Sequence, residues 1–152
     1  MSEKNIPAAL LSVCISVIIV LSFTACGSGD KDSAVYTDGT YSGRSSDFGE
    51  DESGNGAGYG EVSITIKDNK ITKCSFKMYK PDGTIKDEKY GSDLSRENRL
   101  KAQKAVQSAE KYAAAVIGKG SAEDIDAISG ATISCKEFKE AVSDALKKAE
   151  KQ

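Results

Sequence analysis

Apolar and polar residues alternate with period two along two stretches near the middle of the chain, and a helical repeat replaces that alternation further on. From Gly60 to Lys67, Val62, Ile64 and Ile66 alternate with Glu61, Ser63, Thr65 and Lys67, which predicts a strand with one buried face. From Lys70 to Lys80, Cys74, Phe76 and Met78 alternate with Lys73, Ser75 and Lys77. Asp68-Asn69 supplies turn residues between the two, so they predict an antiparallel hairpin that Pro81-Asp82-Gly83 brings to an end. A short strand over Asp38 to Gly43 precedes them. From about Asp93 to Ile117, Ala102, Val106, Ala109, Ala113 and Val116 fall at helical spacing, with Gly118 and Gly120 as stop signals. In the last segment Phe138, Val142, Ala145, Leu146 and Ala149 form one apolar stripe of an α-helix. Ser134 stands three residues before Glu137, the capping-box spacing, which predicts Ser134 as the N-cap of that helix. Strands grouped before helices predict an α+β domain, with helices packed on one face of a small antiparallel sheet.

The start of the chain is of another kind. Lys4 is followed by an apolar stretch from Ile6 to Ala25, then by Cys26-Gly27 and a polar Ser/Gly/Asp-rich segment. A basic start, an apolar middle and small residues before a cut site describe a secretory signal. Phe23-Thr24-Ala25-Cys26 resembles a lipobox, at which bacteria attach diacylglycerol to the cysteine thiol and cleave before it. The other reading is a retained membrane helix, since about twenty apolar residues can span a bilayer. Both tether an extracytoplasmic globular part. The division that follows is a leader over 1–25, a lipidated Cys26 and flexible linker over 26–35, and one domain over 36–152.

Composition narrows the chemistry. Net charge is −2 with acids and bases interspersed, so no basic face offers itself to nucleic acid. The chain has no histidine, which removes Ser-His-Asp and Cys-His machinery and the commonest transition-metal ligand. No catalytic set and no metal site is expected. Of the four cysteines, Cys74 and Cys135 remain once Cys14 and Cys26 are placed in the leader and at the lipid site. They are read either as a disulfide or as two small buried side chains.

The run Asp126-Ala127-Ile128-Ser129-Gly130-Ala131-Thr132 brings a hydroxyl to the lip of the last helix behind a turn of small residues. Unpaired N–H groups and the positive end of the dipole favour a phosphate there, by about 0.3–1 kcal/mol at an exposed site. The seven residues resemble the D-x-x-[ST]-G-A-[TS] sequence on which bacterial FAD:protein FMN transferases join FMN to the last threonine or serine. Asp38-Gly39-Thr40-Tyr41, Gly58-Tyr59-Gly60 before an alternating strand, and Asp68-Asn69-Lys70-Ile71 are also similar to the FMN-binding domain family, over about Tyr36 to Lys151. That family includes flavoprotein subunits of sodium-pumping and Rnf-type redox complexes and small membrane-anchored lipoproteins. The resemblance implies FMN attached by its phosphate to Thr132, with Asp126, Ser129, Gly130 and Ala131 serving transferase recognition and shaping the turn. The function it implies is a lipid-anchored extracytoplasmic electron carrier served by membrane redox enzymes. The alternative is a non-redox surface lipoprotein that keeps the fold without the cofactor.

Two further features read as structural. The segment Gly49 to Gly60 precedes a strand rather than opening a helix, so it is a mobile acidic loop and not a nucleotide fingerprint, with Tyr59 placed near the flavin ring. Lys101 to Lys111 reads as the solvated face of a helix.

Overall fold

The computed structural model describes residues 35–50 and 56–151, so the leader, Cys26, the linker that follows it and positions 51–55 of the glycine-rich loop lie outside the described residues. Three strands, β1 (Gly39–Arg44), β2 (Tyr59–Lys67) and β3 (Lys70–Tyr79), precede two helices, α1 (Arg96–Ala115) and α2 (Thr132–Ala149). The strands form an antiparallel sheet in the order β1-β2-β3. The expected α+β class is the observed one.

Asp68 and Asn69 both adopt left-handed backbone, at φ 51° and 60°, the conformation of a two-residue turn that suits the twist of a hairpin. The ladder then departs from simple alternation. Thr65 pairs with Lys73 and Ile66 with Ile71, so Thr72 bulges out, and its hydroxyl donates to the Thr65 carbonyl at 3.1 Å. The bulge turns Ile71 onto the buried face with Val62, Ile64 and Ile66, although it is out of step with Phe76 and Met78. The opposite face carries Glu61, Ser63, Thr65, Lys73, Ser75 and Lys77 and stays polar.

Both helices lie against the apolar face, α2 over β1 and β2, α1 over β3. Gly43 permits the first of these contacts, since a Cβ there would run into the Ala141 carbonyl oxygen and the Ala145 amide of α2. Phe138 is fully buried between Phe76, edge-on at 5.1 Å, and Tyr112, stacked at 5.7 Å. Ser95 caps α1, its hydroxyl accepting the Asn98 N–H at 3.4 Å, and Gly118, at φ 80°, turns the chain away from the helix end.

The start of α2 differs from the capping-box expectation. The helix begins at Thr132, Ala131 is its N-cap, and no side chain caps it. Ser134 lies buried within the first turn, and Glu137 is buried as well instead of reaching back to a free N–H. The physical reason lies in the preceding turn: the Ala131 N–H donates to the Ile128 carbonyl at 2.8 Å, and the Cys135 N–H then donates to the Ala131 carbonyl at 3.0 Å, which starts the helix before Ser134 can act as a cap. Cys74 and Cys135 are both free, so they form no disulfide; of the two, Cys135 is the buried side chain expected, and Cys74 is half-buried.

Candidate functional site

The loop from Ile125 to Thr132 is held by one side chain of α1. The Tyr112 hydroxyl, buried, accepts the Ile128 N–H at 2.9 Å and donates to the Ala131 carbonyl at 3.1 Å, so it fastens the loop at two points. Between them Gly130 takes φ 80°, a left-handed conformation that favours glycine. The side chain of Lys104 lies beside it, its Nζ 3.5 Å from where a Gly130 Cβ would stand. Thr132 follows as the first residue of α2 and is exposed.

A cavity of about 410 Å³ opens beside Thr132. Met78 of β3, Ala102 and Ala105 of α1, and Ala131 and Ile133 give it apolar walls, while Lys101, Thr132, Lys86 and Glu137 supply polar groups. Its size falls in the range typical of sites for small organic ligands, about 300–1,000 Å³. Thr132 is open to solvent and Lys86 and Glu137 are not, so the cavity leads from the surface to an ionisable pair in the interior.

That pair is unusual in its geometry. Lys86 is held by a backbone bond from its N–H to the Met78 carbonyl at 2.8 Å, which prolongs the pairing beyond β3. Its Nζ donates to the Gly56 carbonyl at 3.3 Å and stands 5.4 Å from the centre of the Tyr90 ring. From Glu137 Oε1 it is 3.7 Å away, close enough for attraction and too far for a hydrogen bond. Both Glu137 carboxyl oxygens are buried without a hydrogen-bond partner among the described residues. Leaving a buried acceptor unpaired costs about 1–3 kcal/mol, and more when it is charged. Burial pushes the Glu137 carboxyl above the ordinary glutamate range, and Lys86 only partly opposes this. Burial likewise draws the Lys86 ammonium below the ordinary lysine range, against the attraction of Glu137.

The structure brings Gly130, Ala131 and Thr132 to this cavity. Asp126 and Ser129 are exposed and do not line it; Asp126 sits instead on a shallow surface with Lys111 and Lys119. Tyr59 does not line it either. Its ring stacks on Tyr79 at 5.2 Å with the Arg44 guanidinium 3.7 Å above it. The parity of β2 could have shown this, because Tyr59 is in step with the outward Glu61 and Ser63 rather than with Val62. Sequence reading also passed over Tyr112, Lys86, Lys104 and the cavity side of Glu137. Lys104 belonged to the helix face read as solvated charge, and nothing in the chain marks Lys86 apart from other lysines.

The sequence pattern of the FMN-binding domain family matches residues 56–147. The fold is similar to that in the crystal structure of CPE2226 protein from Clostridium perfringens, with a TM-score of 0.56 and 27% sequence identity over 76% of this chain and 89% of that one. No functionally curated protein matches the chain.

Proposed function

This chain belongs to the FMN-binding domain family, and from that membership we propose that it is a lipid-anchored extracytoplasmic electron carrier with FMN joined through its phosphate to Thr132. The cofactor the family implies is FMN. The observation that carries the attachment site is the position of the Thr132 hydroxyl, exposed on the first residue of an uncapped helix and bordering the cavity of about 410 Å³.

The residues present suit the group. The N–H groups in the first turn of α2, which no side chain caps among the described residues, suit a phosphate, and the Lys101 and Lys104 side chains nearby add positive charge. Met78, Ala102, Ala105 and Ile133 suit the apolar faces of a planar ring, and Lys86 and Glu137 suit its polar rim. Bound flavin supplies one- and two-electron transfer, chemistry that no side chain here provides. The protein's own part is to hold and orient: the Tyr112 bridge fixes the loop that presents Thr132, and the apolar walls limit water around the ring.

Asp126 and Ser129, both exposed, remain open to contact by an FAD:protein FMN transferase, the partner proposed to form the phosphoester. Lipidation at Cys26 would keep the carrier at the membrane, within reach of membrane redox enzymes as electron donors. Expression with such a transferase, followed by intact mass and visible absorbance, tests the reading. A colourless wild-type protein without an FMN adduct would sink it and leave the cofactor-free lipoprotein.

A further inference from the structure

We propose that Lys86 and Glu137 form a recognition edge at the inner end of the cavity for a planar heterocycle that carries a carbonyl oxygen next to a ring N–H. In the flavin this is the imide edge, so the inference rests on the flavin reading above. Lys86 would donate to the carbonyl oxygen, and Glu137 would accept from the ring N–H.

Two observations separate this from an ion pair kept only for stability. First, a pair closed for stability would meet at hydrogen-bond distance, whereas Lys86 Nζ stops 3.7 Å from Glu137 Oε1. Second, both Glu137 oxygens are out of reach of solvent and unpartnered among the described residues, while the residue lines the cavity. A buried donor and a buried acceptor therefore stand side by side, each with bonding capacity unspent, on two residues that line a cavity with apolar sides. A ligand with the complementary pair of groups would complete both. Burial raises the Glu137 pKa and lowers that of Lys86, which draws both groups toward their neutral forms, and such partners would favour the charged forms. The other groups that act on them are the Tyr90 ring over Lys86 and the Glu140 carboxylate beyond Glu137, with Lys101 on the same cavity.

The test uses the full chain expressed with an FAD:protein FMN transferase, as wild type and as Glu137→Leu, Glu137→Gln and Lys86→Met. Intact mass first reports attachment, and the loss of the flavin N3 proton is then followed by visible spectrum on alkaline titration. In Glu137→Leu that proton should leave about one pH unit lower than in wild type, a tenfold change in its ionisation constant. Glu137→Gln, which keeps the shape, should move it the same way, and Lys86→Met the opposite way. The midpoint potential, measured on the same samples, should fall in Lys86→Met, because the reduced ring loses a neighbouring positive charge. A flavinylated wild type whose titration and potential are unmoved by all three changes overturns the recognition edge and leaves the FMN reading standing. A wild type with no adduct removes both.

Discussion

The Tyr112 hydroxyl donates to the Ala131 carbonyl at 3.1 Å, while the same oxygen accepts the Ile128 N–H, so one α1 side chain holds the turn from which Thr132 projects. Tyr112→Phe keeps the ring stacked on Phe138 and removes only these bonds. The expected loss is about 1–3 kcal/mol of stability, since the part-buried Ile128 N–H is left unpaired, while the Ala131 carbonyl keeps its bond from the Cys135 N–H. Flavinylation should slow as well. Urea denaturation and a time course of adduct mass check the two effects separately.

Thr132→Ala should abolish the adduct and the visible absorbance, while stability changes by no more than about 0.5 kcal/mol, as expected of an exposed position. Thr132→Ser should keep the adduct because it keeps the hydroxyl. Ser134 is buried in the first turn, so an adduct persisting in Thr132→Ala would point to Ser129 first.

Gly43→Ala places a Cβ against the Ala141 carbonyl of α2. The strand and the helix must then part, at a cost of about 3 kcal/mol, the upper end of what overpacking usually takes. The urea midpoint should fall accordingly, and a midpoint equal to that of wild type would show that α2 does not pack on β1 at this distance.

Asp144 accepts from the Lys148 Nζ at 2.8 Å and from the Arg44 N–H at 3.0 Å, which ties α2 to β1. The Lys148 bond, with the Arg44 N–H, holds its carboxyl below the ordinary aspartate range. A depressed carboxyl contributes stability above its unfolded pKa and loses it as pH falls through the folded value. Wild type should therefore lose stability below about pH 4 more steeply than Asp144→Asn, in urea titrations across that range.

Glu137 shifts the other way. Burial raises its pKa, with Lys86 opposing and Glu140 adding, so the folded state holds the proton more tightly than the unfolded chain. Its contribution is present at low pH and falls as pH rises above the ordinary value of 4.5. The stability of the protein without flavin, relative to Glu137→Gln, should decline with rising pH over that window. A constant difference from pH 4 to pH 8 would contradict the shift.

The sheet was legible because β2 and most of β3 bury one face, and period two survives wherever one side of a strand is covered. The bulge at Thr72 was not, although Ile71 lying out of step with Cys74, Phe76 and Met78 records it in the chain. Phe138, Val142, Ala145 and Leu146 marked α2 correctly, yet the pattern of Ser134 and Glu137 was misread as a cap. Local spacing cannot tell whether a glutamate turns to its own helix end or toward a lysine brought in from beyond β3. The loop from Asp126 to Thr132 was found by its residues, but its support by Tyr112 depends on helix packing that neither segment reveals alone. The inner end of the cavity was the least legible part, since Lys86 and Glu137 meet only after the sheet and α2 are assembled.

At the far end of α2, the Thr37 N–H donates to the Ala149 carbonyl at 2.8 Å and the Lys151 N–H to the Val35 carbonyl at 2.9 Å. Mechanically, a pull on the chain ahead of Val35 would load these bonds to the final turn of that helix, together with the Tyr36 N–H bond to the Asn69 side chain at 2.8 Å. Eighteen residues of helix, about 27 Å, separate that turn from Thr132. An anchor of the kind proposed for the start of the chain would thus pull on the end of α2 remote from Thr132.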